Sequence, residues 1–177
     1  MKKRIPPFAI LTIISLCAAL MLALTNAVTV GPIAEASAKA ADEARKAVLP
    51  EAETFEELAH DDTVDSLFQG LANNEAVGYT ATVTVTGYGG PIEITIGMDE
   101  TGALTGLNVG GTKFAETAGL GARAKEPEFT GQFVGKRTPV TLNQDVDAIS
   151  GATITSTAVT KGVNLAAAAI TAAQQAD

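Results

Sequence analysis

Asp147-Ala148-Ile149-Ser150-Gly151-Ala152-Thr153-Ile154-Thr155-Ser156 joins a small polar turn to the start of an apolar-faced helix. The first N–H groups of a helix have no intrahelical partner and carry the positive end of its dipole, so a phosphorylated ligand is favoured there. Gly151 and Ala152 keep the approach open, and Thr153 brings a hydroxyl to it. A plainer reading stands beside this one: Ser150 is an N-cap, and Thr155, Ser156 and Thr157 decorate a solvated first turn.

Few other residues offer chemistry. His60 is the single histidine and has Asp61 and Asp62 beside it, which points to a solvated surface role rather than metal ligation. Cys17 is the single cysteine, so no disulfide forms within the chain; it lies in an apolar run and reads as a small hydrophobe. Without further cysteines, Fe–S clusters and thiolate zinc sites are excluded, and redox chemistry would need an organic cofactor. No nucleophile–base pair and no metal cluster stands out. The net charge of −8 argues against a nucleic-acid partner.

The elements that must position the motif turn read as α+β. Tyr79, Ala81, Val83 and Val85 alternate with threonines, and Ile92, Ile94 and Ile96 repeat the alternation after Gly87-Tyr88-Gly89-Gly90-Pro91. Asp99-Glu100-Thr101-Gly102 then turns into Leu104 to Val109, giving a three-stranded antiparallel meander that begins at Tyr79. Tyr88 is assigned to packing at the strand end in preference to facing a ligand. Gly110 to Pro127 is glycine-rich and irregular, as functional loops often are. Phe129 and Phe133 share a helical face, and Val140 and Leu142 suggest another strand. From Thr153 onward Val159, Val163, Ala166 and Ile170 follow one face of a helix that docks on the sheet.

Upstream, Lys2, Lys3 and Arg4 precede an uncharged stretch from Ile5 to Ala34. Its apolar portion is long enough to cross a bilayer, which takes roughly 20 residues. Pro6 and Pro7 fall at its start and Pro32 just beyond its apolar end, where a break in the helix costs little. The basic cluster places the N-terminus in the cytoplasm and the remainder outside. Ala36-Ser37-Ala38 resembles a cleavage site, but the run exceeds the roughly 7–15 residues of a signal core, which favours a retained anchor. Glu35 to Ala47 continues as a helical stalk ended by Pro50, and the acidic 51–65 stretch forms a short helix or linker. The organisation is therefore a tip and transmembrane anchor (1–34), a stalk and linker (35–65), and one extracytoplasmic domain (66–177).

The order of these pieces resembles one known family. The N-terminal anchor, Gly-Tyr-x-Gly-Pro-Ile at 87–92, Glu-Thr-x-Gly-Leu-Gly at 116–121, Phe-x-Gly-x-Phe at 129–133 and Ser-Gly-Ala-Thr-x-Thr-Ser at 150–156 are similar to the FMN-binding G subunit of the Rnf ion-translocating electron transport complex. Gly-Pro-Ile-Ala-Glu at 31–35 and Val48-Leu49-Pro50 extend the likeness over nearly the whole chain, and the last motif is the most specific. The C subunit of the sodium-translocating NADH:quinone oxidoreductase shares the motif and topology but is generally longer. A cofactor-free, membrane-anchored interaction module is the alternative from another class.

The resemblance implies a small antiparallel-sheet FMN-binding domain with packed helices behind a transmembrane helix. It implies one FMN joined through its phosphate to Thr153, with Asp147, Ser150, Gly151 and Ala152 forming the turn read by an ApbE-type flavin transferase. Glu116, Thr117, Gly119, Leu120 and Gly121 would lie against the isoalloxazine ring, with Leu120 as the apolar contact. Two departures bear on the tuning of the flavin: Ala118 stands where the family usually has proline, and Ala115 where it often has histidine. The implied role is a non-autonomous electron-transfer subunit, whose partners are the other membrane subunits of the complex and, through the anchor, membrane lipid.

Overall fold

The computed structural model describes residues 6–175; the basic cluster Lys2, Lys3 and Arg4 lies outside the described residues. The chain divides into two compact units, residues 1–40 and 41–177. In the first, helix α1 (Pro7–Val48) begins at the proline pair and runs into the second unit. Its apolar window has a mean hydropathy of 2.5 and none of it is buried, so by length and composition the helix can cross a membrane. Pro32 lies within the helix rather than ending it. A proline there removes one backbone hydrogen bond, a small loss in a helix of 42 residues.

The second unit is built on one antiparallel sheet in strict chain order: β1 (Thr54–Glu57), β2 (Ser66–Ala72), β3 (Glu75–Thr86), β4 (Pro91–Asp99) and β5 (Leu104–Gly110). The expected three strands are its last three. Val83 pairs with Ile94 and Ala81 with Ile96, so the alternating apolar residues share one face, as their period requires. Helix α3 (Thr153–Gln174) covers that face with Val159, Val163, Ala166 and Ile170, all fully buried.

Two strands go beyond the sequence expectation. The 51–65 stretch, read as a short helix or linker, contains β1, which pairs with β2. The β2–β3 turn is Asn73-Asn74 with φ of 52° and 65°, two consecutive left-handed residues of the kind that matches strand twist in a tight hairpin. The strand expected at Val140–Leu142 does not form; instead the Asn164 side chain clasps the Val140 N–H and C=O, each at 2.8 Å. Residues 135–137 run beside the start of β5: Ala103, just before it, bridges Arg137, and Leu104 exchanges backbone hydrogen bonds with Gly135 and Lys136. Phe129 in α2 (Pro127–Thr130) and Phe133 beyond it meet edge-to-face at 5.5 Å, as their spacing suggested.

The opposite face of the sheet receives the C-terminal end of α1. Val48 lies over the paired glycines Gly97 and Gly106, and Leu49 over the pair Gly70 and Gly78. A Cβ on Gly106 would lie 2.7 Å from the Val48 Cα, and one on Gly70 2.5 Å from a Leu49 methyl. Gly97 and Gly106 are therefore notches that let backbone approach backbone, and Gly70 and Gly78 make room for the Leu49 side chain. Val48 and Leu49 are each 1% exposed, and burial of such side chains contributes about 1.5–3 kcal/mol apiece. Thr105 donates its hydroxyl to the Val48 carbonyl at 2.5 Å, and the Arg45 guanidinium stacks 4.0 Å from the centre of the Phe68 ring.

Candidate functional site

The start of α3 is uncapped. Its N-cap residue is Ala152, and no side chain bonds the free N–H groups of the first turn. Ser150 is exposed and does not cap, while Thr155 and Ser156 are buried, so the reading of a solvated, serine-capped turn does not hold. Ser156 works inward instead: its hydroxyl accepts the Ile149 N–H and donates to the Ala152 carbonyl, each at 3.0 Å, locking the turn to the helix. Gly151 has φ of 77°, a left-handed turn position that glycine occupies without strain. Thr153 is left exposed as the first helical residue, its hydroxyl beside free N–H donors.

A cavity of about 550 Å³ opens at this point, lined by Tyr88, Glu116, Thr117, Leu120, Gly121 and residues 151–155. It joins three segments: the β3–β4 turn, the 116–121 loop and the first turn of α3. Leu120 leans over the motif turn, close enough that a Cβ on Gly151 would come within 3.1 Å of its methyl. Among the described residues from 41 onward, the large apolar side chains left exposed are Tyr88, Leu120, Val134 and Ile154, and three of these line the cavity. An apolar wall at one end and a free helix N-terminus at the other suit a flat fused-ring ligand with a phosphate tail.

The expected site residues do not all meet in one place. Thr153, Gly151, Ala152, Glu116, Thr117, Leu120 and Gly121 line the cavity. Gly119, exposed at φ 76°, shapes the loop without lining it. Asp147 and Ser150 line a different cleft of about 300 Å³, beside Arg123, Glu126, Glu128 and Gln132. There the Asp147 N–H donates to the Gln132 side chain at 2.7 Å, and Arg123 pairs with Glu126 and Glu128.

Three cavity residues lie outside the expected site. Tyr88 is 70% exposed at the cavity wall, which corrects its assignment to strand-end packing; an aromatic between Gly87 and Gly89 has no neighbouring side chains to pack on. Ile154 is 58% exposed, and an apolar residue among hydroxyls at a helix start was the available signal. Thr155, read as solvated, is buried and donates its hydroxyl to Glu116 at 2.7 Å. Nothing local in the sequence marks a partnership across 39 positions.

Comparison with known proteins places these features in a family. Residues 87–168 match the FMN-binding domain family. The chain is 37% identical to the G subunit of the Na(+)-translocating ferredoxin:NAD(+) oxidoreductase complex of Acetobacterium woodii, over 88% of this chain and 86% of that protein. It is 36% identical to the G subunit of the ion-translocating oxidoreductase complex of Methanosarcina acetivorans, over 88% of each. Among solved structures, the C subunit of the Na(+)-translocating NADH-quinone reductase from Parabacteroides distasonis is similar at 26% identity and a TM-score of 0.47, over 59% of this chain and 58% of that one. The matched domain begins at the Tyr88 turn and ends within α3, so it spans every wall of the cavity. With identity sustained over most of its length, the chain belongs to the family of G subunits of Rnf-type ion-translocating oxidoreductases.

Proposed function

We propose that this chain is a membrane-anchored electron-relay subunit of an ion-translocating ferredoxin:NAD oxidoreductase complex, carrying one FMN in a phosphoester to Thr153. The observation that carries the reading is exposed Thr153 at an uncapped helix N-terminus, on the wall of a cavity that it shares with the apolar side chains of Tyr88, Leu120 and Ile154. The free N–H donors would hold the phosphate, and Leu120, Ile154 and Tyr88 would lie against the ring. The bound flavin would supply the reversible electron-carrying chemistry that no side chain here provides. A covalent tether retains the carrier where a dissociable one would be lost to solvent, and α1 keeps it beside the membrane subunits.

Asp147 and Ser150 line a separate cleft rather than this cavity. That position suits recognition of the turn by a separate flavin transferase of the ApbE type. The N-terminus would remain cytoplasmic and the domain would face outward. The test is mass spectrometry of the chain produced with such a transferase. The expected result is one addition of FMN minus water on the Thr153 peptide, absent from Thr153→Val. Flavin retained by Thr153→Val after denaturation refutes the assignment.

A further inference from the structure

Glu116 is nine-tenths buried, and both its carboxylate oxygens are engaged inside the protein. The Gly89 N–H donates to Oε1 at 3.0 Å, and the Thr155 hydroxyl donates to Oε2 at 2.7 Å. Glycine keeps the space around it open. A Cβ on Gly87 would overlap Oε1; one on Gly121 would overlap Oε2 and lie 2.8 Å from the Thr155 hydroxyl. Neither glycine has a positive φ, so the demand is for room rather than for conformation. A Cβ on Gly89 would strike the carbonyl oxygen of Ala115. Burying a carboxylate is costly unless its hydrogen bonds are satisfied, and an apolar side chain at 116 would avoid that cost.

What the carboxylate ties together is the cavity itself. Tyr88 sits between Gly87 and Gly89, Thr117 to Gly121 follow Glu116 directly, and Thr155 is two residues beyond Thr153. All three walls converge on this one side chain. We propose that Glu116 is a positioning residue: through Gly89 and Thr155 it holds the Tyr88 turn, the 116–121 loop and the first turn of α3 in one arrangement, and so fixes the environment of the ring. The proposal rests on the reading of this cavity as a flavin site.

The experiment uses the full chain loaded with FMN by a flavin transferase, and reads the midpoint potential and absorption envelope of the Thr153-linked flavin. Urea unfolding checks the fold of each variant. Glu116→Met, similar in length but unable to accept either bond, and near-isosteric Thr155→Val should each shift the potential and the envelope while one FMN per chain is retained. The double variant should shift no further than the larger single change, because both cut the same tie. Thr155→Ser, which restores the hydroxyl, should return the wild-type values. Gly121→Ala leaves both partners present but crowds the carboxylate, and should shift the potential as well. Unchanged potentials in the Glu116→Met, Thr155→Val and Gly121→Ala variants alike, or additive shifts without rescue by serine, overturn the proposal while leaving the flavin site intact. Absence of flavin from Thr153 in the wild-type chain overturns the flavin reading and this proposal with it.

Discussion

Gly97→Ala adds one methyl group where the sheet meets the end of α1. The added carbon would overlap the backbone carbonyl of Val48 and the Thr105 hydroxyl. Because the obstacle is backbone, trimming Val48 cannot relieve it: either the helix end lifts or β4 bends. Overpacking of this kind costs about 1–3 kcal/mol, and losing the bond from Thr105 to Val48 adds about 1 kcal/mol. The sum is about 2–4 kcal/mol, which for a unit of this size lowers Tm by roughly 6–16 °C. Buried Tyr79, in a chain without tryptophan, gives a fluorescence signal for thermal unfolding of the sheet. Gly131→Ala is the control, since it has a helical φ of −64° and nothing within 4 Å of the added carbon; its stability should be unchanged or slightly raised. Gly97→Ala and Val48→Ala combined should be no more stable than Gly97→Ala alone. If Gly97→Ala melts with the control, the notch does not constrain the fold.

If FMN is joined to Thr153 as proposed, Leu120→Ala should leave that attachment intact and alter the flavin's absorption or midpoint potential; loss of attachment with the fold preserved would assign the loop a different role. Asp99 is shifted below its ordinary carboxyl pKa: burial raises it, but the Ala103 N–H, the Thr101 hydroxyl and N–H, and the charge of Arg137 together outweigh that effect. A depressed folded pKa contributes stability above the unfolded value of about 3.9 that is lost as pH falls through the folded one. Asp99→Asn, which can still accept the three bonds at Oδ1, should therefore flatten the acid limb of urea midpoint against pH; an unchanged limb places the acid sensitivity elsewhere. Ile170→Ala removes a fully buried side chain from the α3–sheet interface and should cost about 2–5 kcal/mol in urea unfolding, whereas a loss below about 1 kcal/mol would mean the helix end is not packed as described.

The parts of this fold legible in the sequence are those whose partners repeat at a fixed period. The Ile92, Ile94, Ile96 alternation and the Val159, Val163, Ala166, Ile170 stripe each state their own face, and the structure joins the two. β2 escapes notice because Gly70 stands where a strand residue would signal its face, and that glycine answers to Leu49 from outside the strand. β1 is four residues with two acidic members, Glu56 and Glu57, and only its pairing with β2 makes it a strand. At the site, the helix start is legible because its free N–H groups carry local chemistry, whereas the 116–121 loop is singled out only by the family resemblance. Glu116's hold on Gly89 and Thr155 could not be read, since neither a backbone N–H nor a threonine hydroxyl advertises a distant partner. The separation of Asp147 and Ser150 from Thr153 is likewise a property of the turn's three-dimensional path.

The strict β1 to β5 order keeps every pairing in the sheet local. Every pairing joins neighbours in the chain, so each hairpin closes over a short loop, and topologies dominated by such local contacts form quickly. Helix α3 is different: it must return from the C-terminus to β3 and β4 across the whole loop region before the apolar face is covered. The corner containing Thr153 is complete only once the docked helix brings Thr155 to the carboxylate of Glu116. A chain halted before α3 docks would carry the complete motif as sequence yet lack the cavity. Measured in time, readiness to receive a cofactor would then report completion of the fold, and loading would separate finished molecules from those still folding.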